Sequence, residues 1–305
     1  MTQAAVQSER ETTQSLPDRR IALVLMLCFA ILWAILEGEL GVRLRQPYDL
    51  RQVVWCRYAS HLLVVALVWG WRTPAALWRT NRLPLQLGRS LLMLVMPMGF
   101  MFAAMSGTAV RSVWAVFWIA PLLILIGAWL YGGERAPRWL WAVTALATLA
   151  AMIVVGPSSV PTVSGFLFSF AMSASFALYV VFTRELRREA LSANLFYTAV
   201  GVIIPLSIAL PRYWRTPPLH DAIILFGIGA LGFVALLALD RAAERTAVSW
   251  TAAVLTLQVV VVQCIDALRH TAVISTSGTV AALLIVACAG VVWFVAPRDE
   301  KRVLG

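Results

Sequence analysis

The chain has 305 residues, 61% of them hydrophobic and only 13% charged, with a mean hydropathy of +0.81. Soluble domains are about half apolar and about a quarter charged, so this composition excludes a soluble globular enzyme and points to a chain that crosses a lipid bilayer many times. The net charge of +10 does not indicate nucleic acid, because the 25 basic residues fall between apolar runs and form no basic face with interleaved aromatics.

Residues 1–18 are polar and of mixed charge, and read as a disordered cytoplasmic tail. The apolar run that follows is too long for a signal peptide and has no small-residue cleavage site. Arg19 and Arg20 read as an inside anchor rather than a twin-arginine signal. Ten apolar runs then follow, at 20–42, 52–71, 86–106, 108–131, 138–156, 163–183, 192–210, 220–239, 246–267 and 273–296. Each is close to the ~20 residues that a helical span needs. The runs are continuous rather than alternating, and lipid offers backbone groups no partner, so an all-α membrane protein is expected. Residues 297–305 read as a second cytoplasmic tail.

The first hairpin holds the charges least expected in hydrocarbon. Glu37 lies ten residues before Pro47 and Arg57 ten after, so an antiparallel pair of helices sets them at one depth. A charge there costs roughly 2.5–3.5 kcal/mol on insertion scales unless it is paired or lines a watery path. Trp33 and His61 lie one turn deeper. The pair is either a static lock between two helices, or a site where Glu37 meets a proton or an amine and Arg57 a carboxylate. His61 is either an interhelical contact or a proton relay. The segment from Trp71 to Arg79 is expected as a loop anchored by two tryptophans.

Trp114 and Trp118 share one face of the fourth run at i, i+4 spacing. They suit an aromatic wall for a flat or cationic solute, or core packing and an interfacial anchor. Tyr179 in the sixth run and Gln258 in the ninth are neutral polar groups that suit either a cavity or interhelical hydrogen bonds. Trp250 opens the ninth run. The four cysteines show no metal-ligand spacing and read as free thiols.

The runs divide into two fives, 19–156 and 163–296. Spans 3–4 and 8–9 are each joined by a short link, at 106–108 and 240–245. A slide of 136 residues lays Trp114 on Trp250, and a slide of 142 lays Glu37 on Tyr179. An odd number of spans per half makes the halves inverted, which places a solute site at their interface. With both termini cytoplasmic, seventeen basic residues fall inside and seven outside.

The Trp33-Ala34…Glu37 pattern resembles the first helix of EamA-type transporters of the drug/metabolite transporter superfamily. So do Val54-Trp55…Arg57, Arg89, Ala120-Pro121, Gly133-Glu134-Arg135 and the region Leu255 to Gln258. The resemblance covers about residues 20–296. It implies ten transmembrane helices as two inverted five-helix repeats, with a cavity lined mainly by spans 1, 3, 4, 6, 8 and 9. It also implies movement of small metabolites by alternating access, leaning toward export, in a cell (inner) membrane. The second-half counterpart of the Gly-Glu box is replaced by Arg269 and His270, and the box is read as structural.

No Ser/His/Asp order, Walker sequence or dinucleotide glycine pattern is present, so no enzyme activity and no cofactor are expected. The sequence is read as a secondary active transporter of a small organic metabolite such as an amino acid. Its candidate substrate-binding residues are Glu37, Arg57, His61, Trp114, Trp118, Tyr179, Trp250 and Gln258. Efflux of planar or cationic drugs and a non-transporting scaffold or receptor are the competing readings. The expected partners are a small-molecule solute, the bilayer and optionally a proton. A monomer suffices, and a dimer is also compatible.

Overall fold

A computed structural model describes residues 16–40, 47–71, 73–269 and 275–303. The tail 1–15, most of the first link, with Arg43, and the reciprocal box position His270 lie outside the described residues. Among the described residues there is no strand, and nine helices are long and apolar enough to cross a membrane.

The helices are α1 (Leu16–Ala34), α2 (Leu50–Val65), short α3 (Ala75–Trp78), α4 (Leu83–Met105), α5 (Val110–Phe117) and α6 (Ala120–Leu130). They continue with α7 (Arg138–Val155), α8 (Val163–Glu185), α9 (Leu191–Ala209), α10 (Leu219–Arg245), α11 (Ala252–Leu255), α12 (Leu257–Leu268) and α13 (Thr276–Val303). α1 and α2 each run on into a π-helical stretch, Ile35–Leu40 and Ala66–Gly70. α5 and α6 together form one span. The run expected at 246–267 is a short 3-10 turn, Val248–Trp250, followed by α11 and α12, and is shorter than the others as an unbroken helix. α13 stays helical past residue 297, where a tail was expected.

Sequence chemistry sets these boundaries. Asp49 accepts the Arg51 N–H and so caps α2, and the Thr162 hydroxyl accepts the Gly165 N–H at the start of α8. Gly156 ends α7 at φ +60°, a conformation that glycine takes without a Cβ clash. Pro121 has no N–H to give the Phe117 carbonyl one turn earlier, and the helix breaks between α5 and α6. Ser173 of α8 donates to that freed carbonyl at 2.9 Å. The ninth run breaks for another reason. Thr251 and Thr256 donate their hydroxyls to carbonyls three residues back, Val248 at 2.9 Å and Ala253 at 2.6 Å, favouring 3-10 geometry.

α8 packs along α4, α10 against both α1 and α2, and α9 against α2 and α4. α7 and α13 pair with each other. With no hydrophobic drive between helices in lipid, close packing must carry association. A Cβ on Gly229 of α10 would collide with Ser60 and the Arg57 carbonyl of α2, and one on Gly201 of α9 would collide with Ser90 of α4. The core joins Phe29, Trp33, Phe117, Phe176 and Tyr179, all buried.

Candidate functional site

A small cavity with an open mouth lies between the helices and holds about 50 Å³ of space that water can enter. α1 and its π-helical end supply Trp33, Leu36 and Glu37, and α2 supplies Leu50, Val53, Val54, Arg57 and Tyr58. Across from them, α4 gives Met93, Met96, Pro97 and Phe100, with Trp114, Met172 and Ile228 completing the wall. The lining residues sit at the C-terminal end of α1 and the N-terminal half of α2. The cavity is therefore displaced toward the α1–α2 connection.

Its formal charges are Glu37 and Arg57. Arg57 Nη1 donates to Glu37 Oε1 at 2.8 Å, and both residues are mostly buried. The guanidinium lies over Trp33, 4.3 Å from the ring centroid, with Tyr58 at 5.6 Å. This arrangement has local causes. Glu37 is carried by a π-helical stretch, whose extra residue per turn re-aims a side chain and is common at functional sites. A carboxylate near the C-terminal end of a helix is disfavoured by the helix dipole, and Arg57 offsets this. Gly232 of α10 leaves room for the guanidinium: a Cβ there would lie 3.3 Å from Arg57 Nε.

Of the eight candidate residues, the cavity wall holds Glu37, Arg57 and Trp114. The structure places the other five elsewhere. His61 is 1% exposed, with Nε2 3.2 Å from the Leu195 carbonyl and its ring edge-on to Phe233. It therefore faces α9 and α10 and does not share Trp33's side. Trp118 is buried against Phe117 at the α5–α6 break. Tyr179 is fully buried, its hydroxyl 3.4 Å from the Thr198 hydroxyl. Trp250 lies at the other end of the molecule, under the Arg19 guanidinium at 4.3 Å and beside Trp139. Gln258, in α12, is buried outside the wall. The spans contributing to the wall also differ from those the resemblance implies. The second span supplies five residues, and the 246–267 segment supplies none.

Sequence reading missed a second constellation. Arg89, one of the seventeen basic residues placed inside and part of the family resemblance, is 0% exposed. Its Nη1 donates to Thr183 Oγ1 at 2.9 Å and lies 3.3 Å from Asp240 Oδ1. Its Nη2 donates to the Asn194 carbonyl at 2.6 Å and to Thr198 Oγ1 at 2.8 Å. Asn194 also links Gln86, at 2.6 Å, to Asp240, at 3.3 Å. Tyr179 supports the guanidinium with its ring, at 4.9 Å. Four helices (α4, α8, α9 and α10) meet here, one helical turn below Met93 of the cavity wall. Depth matching, the logic that paired Glu37 with Arg57, applies equally to Arg89 near the start of one run and Asp240 at the end of another.

The Gly133-Glu134-Arg135 box closes the same end of the molecule. Gly133 takes φ +64° and turns the chain. The Glu134 carboxylate then accepts the Val248 N–H at 3.1 Å and the Ser249 N–H at 3.0 Å, capping the start of the broken 248–268 segment. At the start of α5, Ser112 instead exchanges hydrogen bonds with the Ser159 backbone. Among the described residues no group of three or more His, Cys, Asp or Glu side chains could hold a metal ion.

No family model matches the chain. An S-adenosylmethionine uptake transporter of Rickettsia bellii (strain RML369-C) is 26% identical over 142 residues, which is 46% of this chain and 49% of that protein. The match thus spans about half of each. A solved structure, described only as a crystal structure of protein, superposes with a TM-score of 0.77 at 19% identity, covering 92% of this chain and 98% of its own. That likeness shows the fold alone. The nine apolar helices among the described residues, together with this relative, support a multi-pass membrane protein.

Proposed function

We propose that the chain is a gradient-driven carrier of a small organic solute of the amino-acid class, with S-adenosylmethionine the first compound to test. The observation that carries this is the Glu37–Arg57 pair set into a largely apolar cavity whose wall includes Trp33, Trp114, Phe100 and three methionines. S-adenosylmethionine combines an α-amino-acid end, a sulfonium cation and a flat purine. The ion pair suits the first. Aromatic faces and polarizable thioethers suit the other two. The relative's stated substrate supports the choice.

The mechanism is alternating access. The cavity lies toward the α1–α2 connection, and the Arg89–Asp240 network closes the opposite end. That network is the part that opens when solute leaves on the N-terminal side. Its groups are polar, so water can take over their hydrogen bonds as it parts. An apolar plug would gain no such replacement. We further infer that both termini face the cytoplasm, from the distribution of basic residues.

The test is uptake of labelled S-adenosylmethionine into proteoliposomes preloaded with unlabelled compound, with amino acids and planar cations as competitors. Exchange above empty liposomes, blocked by amino acids of related shape, is the expected result. Exchange blocked only by planar cations would favour drug efflux, which the aromatic wall also suits. An absence of exchange for every compound would overturn the carrier reading.

A further inference from the structure

Arg57 uses one arm of its fork on Glu37. The other, Nη2, is buried and has no hydrogen-bond partner among the described residues. The Arg57 side chain is 91% buried, yet the residue forms part of the cavity wall. A buried guanidinium nitrogen without an acceptor is costly, and such groups are normally satisfied by protein, water or ligand. Trp33 covers the guanidinium face, and Gly232 leaves no side chain to compete for it. The cavity wall is otherwise largely apolar, and its two formal charges cancel.

We infer that Arg57 Nη2 is the recognition point for the carboxylate of the solute, and that Glu37 balances the solute's adjacent amine. This deepens the carrier reading and rests on it. A carboxylate alone would leave the site with one excess negative charge, and an amine alone with one excess positive charge. A zwitterion leaves it neutral. The site therefore selects solutes that carry both groups and rejects the same solute without its carboxylate. Charge-assisted hydrogen bonds of this kind separate such pairs by roughly 10- to 100-fold. Lysine cannot replace this geometry, because it has no second arm held in the plane of the first.

The experiment compares S-adenosylmethionine with its decarboxylated analogue as stabilisers of the purified protein against thermal unfolding, titrated to half-effect. Wild type should prefer the carboxylated compound by at least about tenfold. Arg57→Lys can still pair with Glu37, and should bring the ratio to about one. Should Arg57→Lys fail to fold, Glu37→Gln gives the complementary reading. It should weaken both compounds through the lost amine contact while keeping the preference for the carboxylate. Equal stabilisation of wild type by both compounds overturns the inference, as does a preference that Arg57→Lys preserves. Stabilisation by neither compound instead counts against the substrate assigned under the carrier reading.

Discussion

Replacing Arg89 by Met, Asp240 by Leu, and both together tests whether the closed end is held by charge or only by fit. Removing either partner alone leaves a fully buried charge: side-chain exposure is 0% for Arg89 and 1% for Asp240. Breaking such a pair from one side costs about 3–5 kcal/mol. Little else is orphaned in Arg89→Met. Thr183 still donates to the Tyr179 carbonyl at 2.7 Å, and Thr198 to the Asn194 carbonyl at 2.9 Å. The uncompensated Asp240 carboxylate, left with Asn194 Nδ2 at 3.3 Å, therefore accounts for most of the loss. The double variant removes both charges and fills the space with hydrocarbon, so it should recover most of the loss and fall within about 1–2 kcal/mol of wild type. In detergent, each single variant should lower the unfolding temperature by on the order of 10 °C, with the double close to wild type. Double-variant damage equal to the sum of the singles would refute the argument, since it would show that shape and hydrogen bonds, not paired charge, hold this end.

Further predictions follow from the same structure. Asp240→Asn should loosen the closed end. In a background without the four native cysteines, a Cys replacing buried Ser90 should then label faster from the N-terminal side, while one replacing Val54 in the cavity wall labels more slowly; unfolding would speed both. Ser173→Ala should cost about 1–3 kcal/mol, because it strands the Phe117 carbonyl. The cost should shrink by about 1 kcal/mol when Pro121→Ala restores a backbone N–H, and a double-mutant cycle with no coupling would contradict this. Asp49→Ala should remove about 1 kcal/mol of capping from α2. The Arg51 hydrogen bonds hold the Asp49 carboxyl below its usual range. Its contribution is thus complete above the ordinary value of about 4 and lost as pH falls through the lowered folded-state value. Acid titration of wild type against the Ala variant measures this.

The helical character and the apolar spans were legible because in lipid each span must satisfy its own backbone, leaving a continuous apolar run as its mark. The Glu37–Arg57 pairing was legible because the two residues stand at equal distances along the chain from Pro47, so that depth can be counted from the sequence. Other features depend on contacts between distant segments. Nothing near His61 announces that Leu195 and Phe233 lie beside it, so its turn away from Trp33 could not be read from spacing. Trp114 and Trp118 share a helical face on paper, but the break that Pro121 imposes puts Trp118 at the α5–α6 junction, packed on Phe117. The shortening of the 246–267 run has the same kind of origin. Thr251 and Thr256 look unremarkable in an apolar stretch, yet their hydroxyls bend the backbone into 3-10 geometry.

The two ends of the molecule are held by different chemistry, and this bears on how it moves. Toward the α1–α2 connection, α2 and α10 approach closely at Gly229, and the Glu37–Arg57 pair joins α1 to α2 at the cavity's charged corner. At the far end, Arg89 bonds three other helices, and Glu134 ties the α6–α7 turn to the start of the 248–268 segment. Opening the far end requires fully buried hydrogen bonds to break together, whereas the bonds that tie the start of α2 to α9, α10 and their link, Tyr48 to Asp221, Gln52 to Arg215 and Trp55 to Ser207, are half-buried or exposed. Under the proposed carrier mechanism, a solute that engages Arg57 and Glu37 acts on the cavity end directly. To open the far end on that mechanism, it would draw α1 and α2 together around itself and pull on α10, which packs against both and carries Asp240. The proposed carrier mechanism thus makes α10 the element through which occupancy of the cavity would reach the network that closes the other side.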